Sequence, residues 1–288
     1  MRPFEILFDH GEPGEMEDAA YGSYGWLGFP PPPPEGPWIF SNFVQSLDGI
    51  ASLKGKCSAG SHISQSREDH WLMELLRAHA DAVILGINTL VEETALLGGR
   101  GPVYRVEDAH LRGLRQRIGR GREINVVVTG AAALDLSDYR VFDGEHVDAV
   151  VITTRRGAAR LQEKKTHPQV RIIVAGETEL VDLPQAVAAL GQELGVRYLL
   201  CEGGPTLNGY MARAGLIDER FITISPVEFG LMVPPEQEPT EAEKQNPPRY
   251  RPTSFMAPGF TMETAPRWRW LSCRKVGDHQ FNRYRRRS

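Results

Sequence analysis

Leu199-Leu200-Cys201-Glu202-Gly203-Gly204-Pro205-Thr206-Leu207-Asn208 runs from an apolar strand through two glycines to a proline at the first helical position. A helix begun this way leaves its first backbone N–H groups without intrahelical partners and places the positive end of its dipole beside them. A phosphate or pyrophosphate fits that point, because glycine lets a ligand approach the backbone closely. A tight strand-to-helix turn with no ligand is the other local reading. Glu202 favours a site, since ligands of open α/β sheets bind at the carboxyl ends of strands.

Outward from this segment the same alternation recurs. Short β-branched runs predict strands at 38–47, 81–86, 124–129, 148–154, 170–175, 197–202 and 219–225. Helical windows fall between them at 67–79, around 107–117, and at 157–165, 183–194 and 205–214. Ser66 and Asp69 are spaced as a capping box, and Asp182 precedes a helix with Pro184 in its first turn. Single helices between strands imply crossover connections and a mostly parallel sheet flanked by helices, an α/β fold. Two further strands at about 267–273 and 279–285, joined by Gly277 and Asp278, read as an antiparallel hairpin on the sheet edge. Residues 231–252 read as a long loop. Residues 1–37 read as an N-terminal arm ending in the Pro30–Pro34 spacer, ahead of one domain at 38–288.

The composition excludes several classes. With 288 residues, 41% hydrophobic and 24% charged, the chain has the make-up of a folded globular protein. A formal charge of −4 gives no field favouring nucleic acid or an anionic membrane, so an anionic ligand needs a local site. No apolar run is long enough to span a bilayer, and Met1 to His10 lacks a basic region followed by an apolar one, so a cytoplasmic protein is expected. Cys57, Cys201 and Cys273 are far apart and form no CxxC, which predicts neither a disulfide framework nor a metal site. The zinc deaminase pattern is absent. So is GxGxxG, and the stretch from Gly49 to Lys56 fails the P-loop spacing.

In the first half, Ser46-Leu47-Asp48-Gly49 reads as a strand entering a turn whose backbone Asp48 would bond. Arg77 suits the end of a helix, His62 an exposed loop, and Glu92 with Glu93 a solvated face. No Ser/His/Asp or Cys/His arrangement supports covalent catalysis.

Taken in order, Asn42 to Gly49, Leu76 to Gly86, Cys201 to Asn208, and Gly215 to Glu219 leading to Ser225-Pro226 resemble the reductase domain of riboflavin-biosynthesis enzymes. The resemblance covers roughly residues 38–230. It implies a dihydrofolate-reductase-like fold and, without metal, hydride transfer from NADPH to the ribose C1′ of a 5-amino-6-(5-phosphoribosylamino)pyrimidine. It implies that Gly203, Gly204, Pro205, Thr206, Leu207 and Asn208, on to Tyr210, cradle the cofactor, with Val44, His62, Thr89, Glu93 and Thr129 beside it. Arg77 and Arg100 are implied to hold the substrate phosphate, with Leu97 and Glu202 in the same pocket; paired Arg forks suit a phosphate monoester. Asp48 or Glu93 is expected to supply the proton. The sequence departs from the family pattern at Glu93, at Gly60, at His62 and at Thr94-Ala95. Arg155 and Arg156 are candidates for the cofactor 2′-phosphate. The expected partners are this phosphorylated substrate and a second copy of the chain, a homodimer formed through the Trp268, Trp270 and Phe281 hairpin. A dihydrofolate reductase-like enzyme acting on another pteridine, and a non-catalytic NADPH-binding protein, are the alternatives.

Overall fold

The structure, a computed structural model, describes residues 1–11, 21–22, 24–53, 60–163, 168–233 and 250–287. Gly55, Cys57 and Ser58, and most of the loop read at 231–252, lie outside the described residues.

Ten strands form one sheet: β1 (Glu5–Asp9), β2 (Trp38–Ser46), β3 (Ala82–Gly86), β4 (Ile124–Val128), β5 (Asp148–Thr153), β6 (Val170–Val174), β7 (Tyr198–Cys201), β8 (Glu219–Ser225), β9 (Trp268–Val276) and β10 (His279–Arg286). Their order is β1-β9-β10-β8-β2-β7-β3-β4-β5-β6. From β8 to β6 neighbouring strands are parallel, and β9, β10 and β1 add an antiparallel end. The α/β class and the antiparallel C-terminal hairpin are therefore as the sequence predicts. One apolar cluster includes Phe40, Leu75, Val83 and Leu200; the other includes Ile39, Ile84, Leu190 and Met211. Successive residues of β2 and β3 thus feed opposite sides, as strand geometry requires of a sheet covered on both faces.

The helices are α1 (Arg67–His79), α2 (Ile87–Leu97), α3 (Ala109–Arg117), α4 (Arg155–Glu163), α5 (Leu183–Leu194) and α6 (Pro205–Arg213). Asp182 Oδ1 caps α5 by accepting from Gln185 N at 3.0 Å, and Gly195, at φ 67°, ends it in the left-handed conformation. Ser66 Oγ caps α1 through Asp69 N at 3.2 Å. Its reciprocal half is missing, because the Asp69 carboxyl lies against the hydroxyls of Thr223 and Ser64. Helix α2 is absent from the sequence reading because it buries only Leu90 and so carries no apolar stripe.

The N-terminal arm contributes to the fold. β1 pairs with β9, and Tyr21, Tyr24 and Leu27 are buried in the core. Arg274, fully buried, donates to Asp9 Oδ2 at 2.6 Å, to the Tyr24 carbonyl at 2.6 Å and to Ser272 Oγ at 2.8 Å. The expectation of an apolar edge on the hairpin is corrected in part: β1 pairs with β9 and Phe281 is buried in the core, while Trp270 stays exposed. Asp9→Ala leaves a buried guanidinium short of its counter-charge. It should cost about 1.5–3 kcal/mol in chemical denaturation and speed proteolysis near the N-terminus. An unchanged midpoint would show that the Asp9–Arg274 pair adds nothing to stability.

The chain steps outward from β2 to β3, β4, β5 and β6, then returns through α5 to insert β7 between β2 and β3 and to place β8 on the far side of β2. The sheet order therefore reverses around β2 and β7, where α/β sheets bind ligands.

Candidate active site

A cavity of about 700 Å³ opens at this reversal. Its walls are the α1 stripe Asp69, Met73 and Arg77, the β2 residues Asn42 and Val44, the inner side of α2, the segment 101–107 and the Glu202–Pro205 turn. The α1 stripe follows from the i, i+4, i+8 spacing, which keeps those residues on one helix face.

At the deep end four side chains form a continuous network. Arg77 grips Glu202 with a two-pronged ion pair, Nε to Oε1 at 2.9 Å and Nη2 to Oε2 at 2.6 Å. Its guanidinium carbon sits 5.5 Å from the centre of the Tyr104 ring. The Tyr104 hydroxyl donates to Glu93 Oε2 at 2.7 Å. Tyr104 is itself fixed by Asn125, whose amide exchanges two hydrogen bonds with its backbone at 2.9 and 2.7 Å. Burial pushes the Glu93 carboxyl above its ordinary range, the Tyr104 hydroxyl opposes this, and the Glu202 charge adds to it. Glu93 is thus a carboxyl that holds its proton unusually well. Glu74, by contrast, is pulled below its usual range: burial raises it, but hydrogen bonds from His70 and from the backbone of Asp108 and Glu107 prevail.

Immediately after Glu202 the Gly203-Gly204 turn is closed down against its neighbours. A Cβ on Gly203 would meet Leu207 Cδ2 at 2.6 Å, and one on Gly204 would meet Thr89 Oγ1 at 2.8 Å. The Gly204 N–H donates to Thr89 Oγ1 at 2.8 Å. One of the amides expected to face a ligand is therefore engaged within the protein. The turn and the start of α6 still bring bare backbone to the cavity wall, a cradle suited to a pyrophosphate and too tight for side chains.

Of the residues singled out from sequence, Val44, Arg77, Thr89, Glu93, Leu97, Glu202, Gly203, Gly204 and Pro205 meet at this cavity. Others do not. Asp48 accepts from Ser46 Oγ, from Gly230 N at 2.6 Å and from Phe229 N at 3.2 Å. Burial raises its carboxyl, but these donors together pull it below its usual range; it braces a turn and does not line the cavity. Arg100 turns away: Nε donates to the Ser137 carbonyl at 2.9 Å, Nη2 to the Tyr139 carbonyl at 3.4 Å and Nη1 to Asp143 at 3.4 Å. The expected Arg77 and Arg100 pair is not assembled. Arg105, Arg140 and His146 line the cavity instead.

His62 is exposed on a short π-helical turn, Gly60–Ser64, before α1 and not on the loop expected. Thr129 Oγ1 accepts from Ala132 N at 3.1 Å at the end of β4. Thr206 is exposed and Leu207 packs in the core. Asn208 Nδ2 is bound to the Ser254 carbonyl at 2.6 Å. Arg155 and Arg156 sit at the start of α4, paired with Glu177 at 2.8 Å and with Glu179. Tyr104, Asp69 and Asn42 were missed. Tyr104 lies in the aperiodic run 101–108, and nothing in its local sequence marks it.

Among the described residues no cluster of metal-ligating side chains is found, and no helix is long and apolar enough to cross a membrane. Cys201 is buried and its thiol is pushed up to about 12 by burial, which makes it inert as a nucleophile.

The profile of the RibD C-terminal domain matches residues 37–257. The chain is 30% identical over 195 residues to the 2,5-diamino-6-ribosylamino-4(3H)-pyrimidinone 5′-phosphate reductase of Archaeoglobus fulgidus, covering 67% of this chain and 82% of that one. It is 29% identical over 194 residues to the enzyme of the same name from Methanothermobacter thermautotrophicus, with coverages of 67% and 80%. Among solved structures, a pyrimidine reductase-like protein of Corynebacterium diphtheriae superposes with a TM-score of 0.62 at 22% identity, covering 88% of this chain and 92% of that one. The Saccharomyces cerevisiae riboflavin biosynthesis reductase Rib7 gives 0.56 at 14% identity, with coverages of 93% and 96%. These two likenesses establish a common fold.

Proposed function

The chain belongs to the RibD C-terminal domain family, and from that premise we propose that it is the NADPH-dependent reductase that converts the ribosyl group of a 5-amino-6-(5-phosphoribosylamino)pyrimidine to ribityl. The observation that carries this reading is one of extent. The matched region, residues 37–257, contains every residue that lines the cavity, and the curated relatives that share it are reductases of this substrate type.

NADPH, when bound, would supply a hydride for the sugar C1′. Gly203, Gly204, Pro205 and the start of α6 would hold its pyrophosphate, with Val44 and Thr89 lining the same cavity. Glu93 delivers a proton to the ring oxygen as the sugar opens, so that one hydride and one proton enter together. Arg77, fixed by Glu202 and Tyr104, sets the shape and charge of the deep wall, and positioning is the protein's main contribution. Arg105 and Arg140 bring positive charge to the same cavity for the substrate phosphate.

The deciding assay follows NADPH absorbance with the phosphoribosylaminopyrimidine and, separately, with dihydrofolate. Turnover of the pyrimidine alone supports the reading. Turnover of dihydrofolate, or tight NADPH binding without turnover of either, would refute it in favour of a pteridine reductase or a non-catalytic binder.

Arg155 and Arg156, at the start of α4 beyond the carboxyl end of β5, are the proposed contacts for the cofactor 2′-phosphate, which would replace Glu177 and Glu179 as their partner. Arg155→Ala should raise the KM for NADPH by about tenfold while leaving that for NADH unchanged, the effect of removing one exposed charged contact. Equal effects on both cofactors would remove Arg155 from the 2′-phosphate site.

A further inference from the structure

Residues 250–257 run as an irregular strap beside α6. At one end the strap is knitted to the turn after β2: Thr253 forms an antiparallel bridge with Ile50, and the Ala51 N–H donates to the Pro252 carbonyl at 2.8 Å. At the other end it lies along the first turns of α6. The Asn208 amide donates to the Ser254 carbonyl at 2.6 Å, and the Met256 N–H donates to the Pro205 carbonyl at 3.0 Å. Ala51 and Ser52 line the cavity beside one of these attachments, and Pro205 lines it beside the other. The strap therefore joins two walls of the cavity.

Its middle is anchored by a cation. Arg220 on β8 is 7% exposed, and no carboxylate among the described residues pairs with it. Its guanidinium carbon lies 3.9 Å from the centre of the Phe255 ring and 5.7 Å from that of Trp268, and Nη2 donates to Ser254 Oγ at 3.0 Å. A guanidinium taken out of water is costly, and aromatic faces with a hydroxyl replace part of its solvation. The fit of strap to helix is closest at Gly209 of α6. A Cβ there would meet Ala257 N at 2.8 Å, Ala257 Cβ at 2.9 Å and Met256 N at 3.0 Å. Glycine weakens a helix relative to alanine, and the approach of the strap backbone is what requires it here.

We propose that the strap 250–257, keyed by Arg220, is a positioning element of the cofactor site: it fixes the first turns of α6 against residues 51–52 and so holds the Gly203–Pro205 cradle in shape. This rests on the reductase reading above. Arg220 and Gly209 are not among the residues that line the cavity; they act through Ser254 and Ala257. A cradle held in advance spares the cofactor the cost of ordering it. Releasing the strap therefore weakens NADPH binding and leaves the hydride step unchanged, the pattern of lost uniform binding.

Gly209→Ala is the decisive variant, because its two effects run in opposite directions. Alanine strengthens α6 as a helix, while its Cβ pushes the strap away. The Kd for NADPH, read from quenching of tryptophan fluorescence, should rise about tenfold, with kcat at saturating NADPH within about twofold of the wild type. Hydrogen exchange should quicken at the Met256 and Ala51 amides, which the strap contacts protect, and not in α5. Arg220→Met should reproduce the pattern, and Arg220→Lys, which keeps a cation at the Phe255 ring, should lose less affinity than Arg220→Met. Should Gly209→Ala fail to fold, Ser254→Ala, which removes only the hydroxyl, carries the same test with an expected loss of about threefold. Quickened exchange with an unchanged Kd would make the strap packing alone and overturn the proposal. So would a fall in kcat with affinity unchanged. A wild type that binds no NADPH would refute the reductase reading and the strap's cofactor role together. No turnover of the pyrimidine, with the loss of NADPH affinity intact, would count against the reductase reading and leave the strap assignment standing.

Discussion

Glu93→Gln is expected to lower kcat by about 10²–10⁴-fold, the usual contribution of a positioned proton donor, while leaving NADPH binding and the melting temperature within error of the wild type. The reasoning is electrostatic. Burial raises the Glu93 carboxyl and the Glu202 charge raises it further. Its protonated form therefore persists to higher pH than that of an ordinary glutamate. A donor works only while it carries its proton, so kcat should be level on the acid side and fall as pH rises through this raised value. The Tyr104 hydroxyl opposes the shift by donating to the ionised carboxylate at 2.7 Å. Tyr104→Phe should accordingly move the falling limb to higher pH. In Glu93→Gln the limb itself should vanish from the residual rate. A limb that persists unmoved in both variants would assign the proton to another group, and full activity in Glu93→Gln would remove Glu93 from the chemistry.

The parallel half of the fold is legible in the sequence because its strands are short apolar runs, most of them β-branched, and three of its helices open on a capping residue or a proline. Ser66 and Asp182 mark two helix starts, Pro205 a third, and all three stand where the structure begins α1, α5 and α6. Elements held by tertiary contacts alone are not legible. β1 is five residues whose stability comes from pairing with β9 and from the ion pair between Asp9 and Arg274, partners more than 250 residues away. Helix α2 buries Leu90 alone and is tied in by partners distant in sequence, Gly204 N–H on Thr89 and the Tyr104 hydroxyl on Glu93. The same distinction divides the site. Gly203 to Pro205 and Glu202 announce themselves by a local pattern that only a tight, ligand-ready turn requires. Asp48 and Arg100 occupy matching positions in the chain, yet local geometry aims their side chains at backbone groups outside the cavity. Asp69 reads locally as half of a helix cap, and only the register that brings Thr223 of β8 alongside shows that its carboxyl does something else. Position in a motif fixes where a Cα lies; the side chain's destination depends on neighbours that the motif does not contain.

The ion pair between Arg77 and Glu202 is the place where stability and activity should separate most clearly. Both side chains are about nine-tenths or more buried, at 10% and 7% exposure, and their contact at 2.6 Å is bidentate with Nε at 2.9 Å. Removing one partner leaves the other charge in a poorly solvated wall, so Glu202→Ala should cost about 3–5 kcal/mol in chemical denaturation. Arg77→Met should cost a comparable amount for the mirror reason, since it strands the Glu202 carboxylate. The double variant Arg77→Met with Glu202→Leu replaces two buried charges by apolar groups of similar bulk, and it should recover most of that loss. Activity should not recover with it. The Arg77 guanidinium faces Tyr104 and lowers the proton affinity of Glu93 while the Glu202 charge raises it, so an apolar pair takes both charges away and leaves the cavity wall without its guanidinium. The expected result is thus a double variant with near wild-type stability and turnover reduced on the order of 10²-fold or more. If the double variant regains turnover together with stability, the pair is a structural strut that takes no part in the reaction.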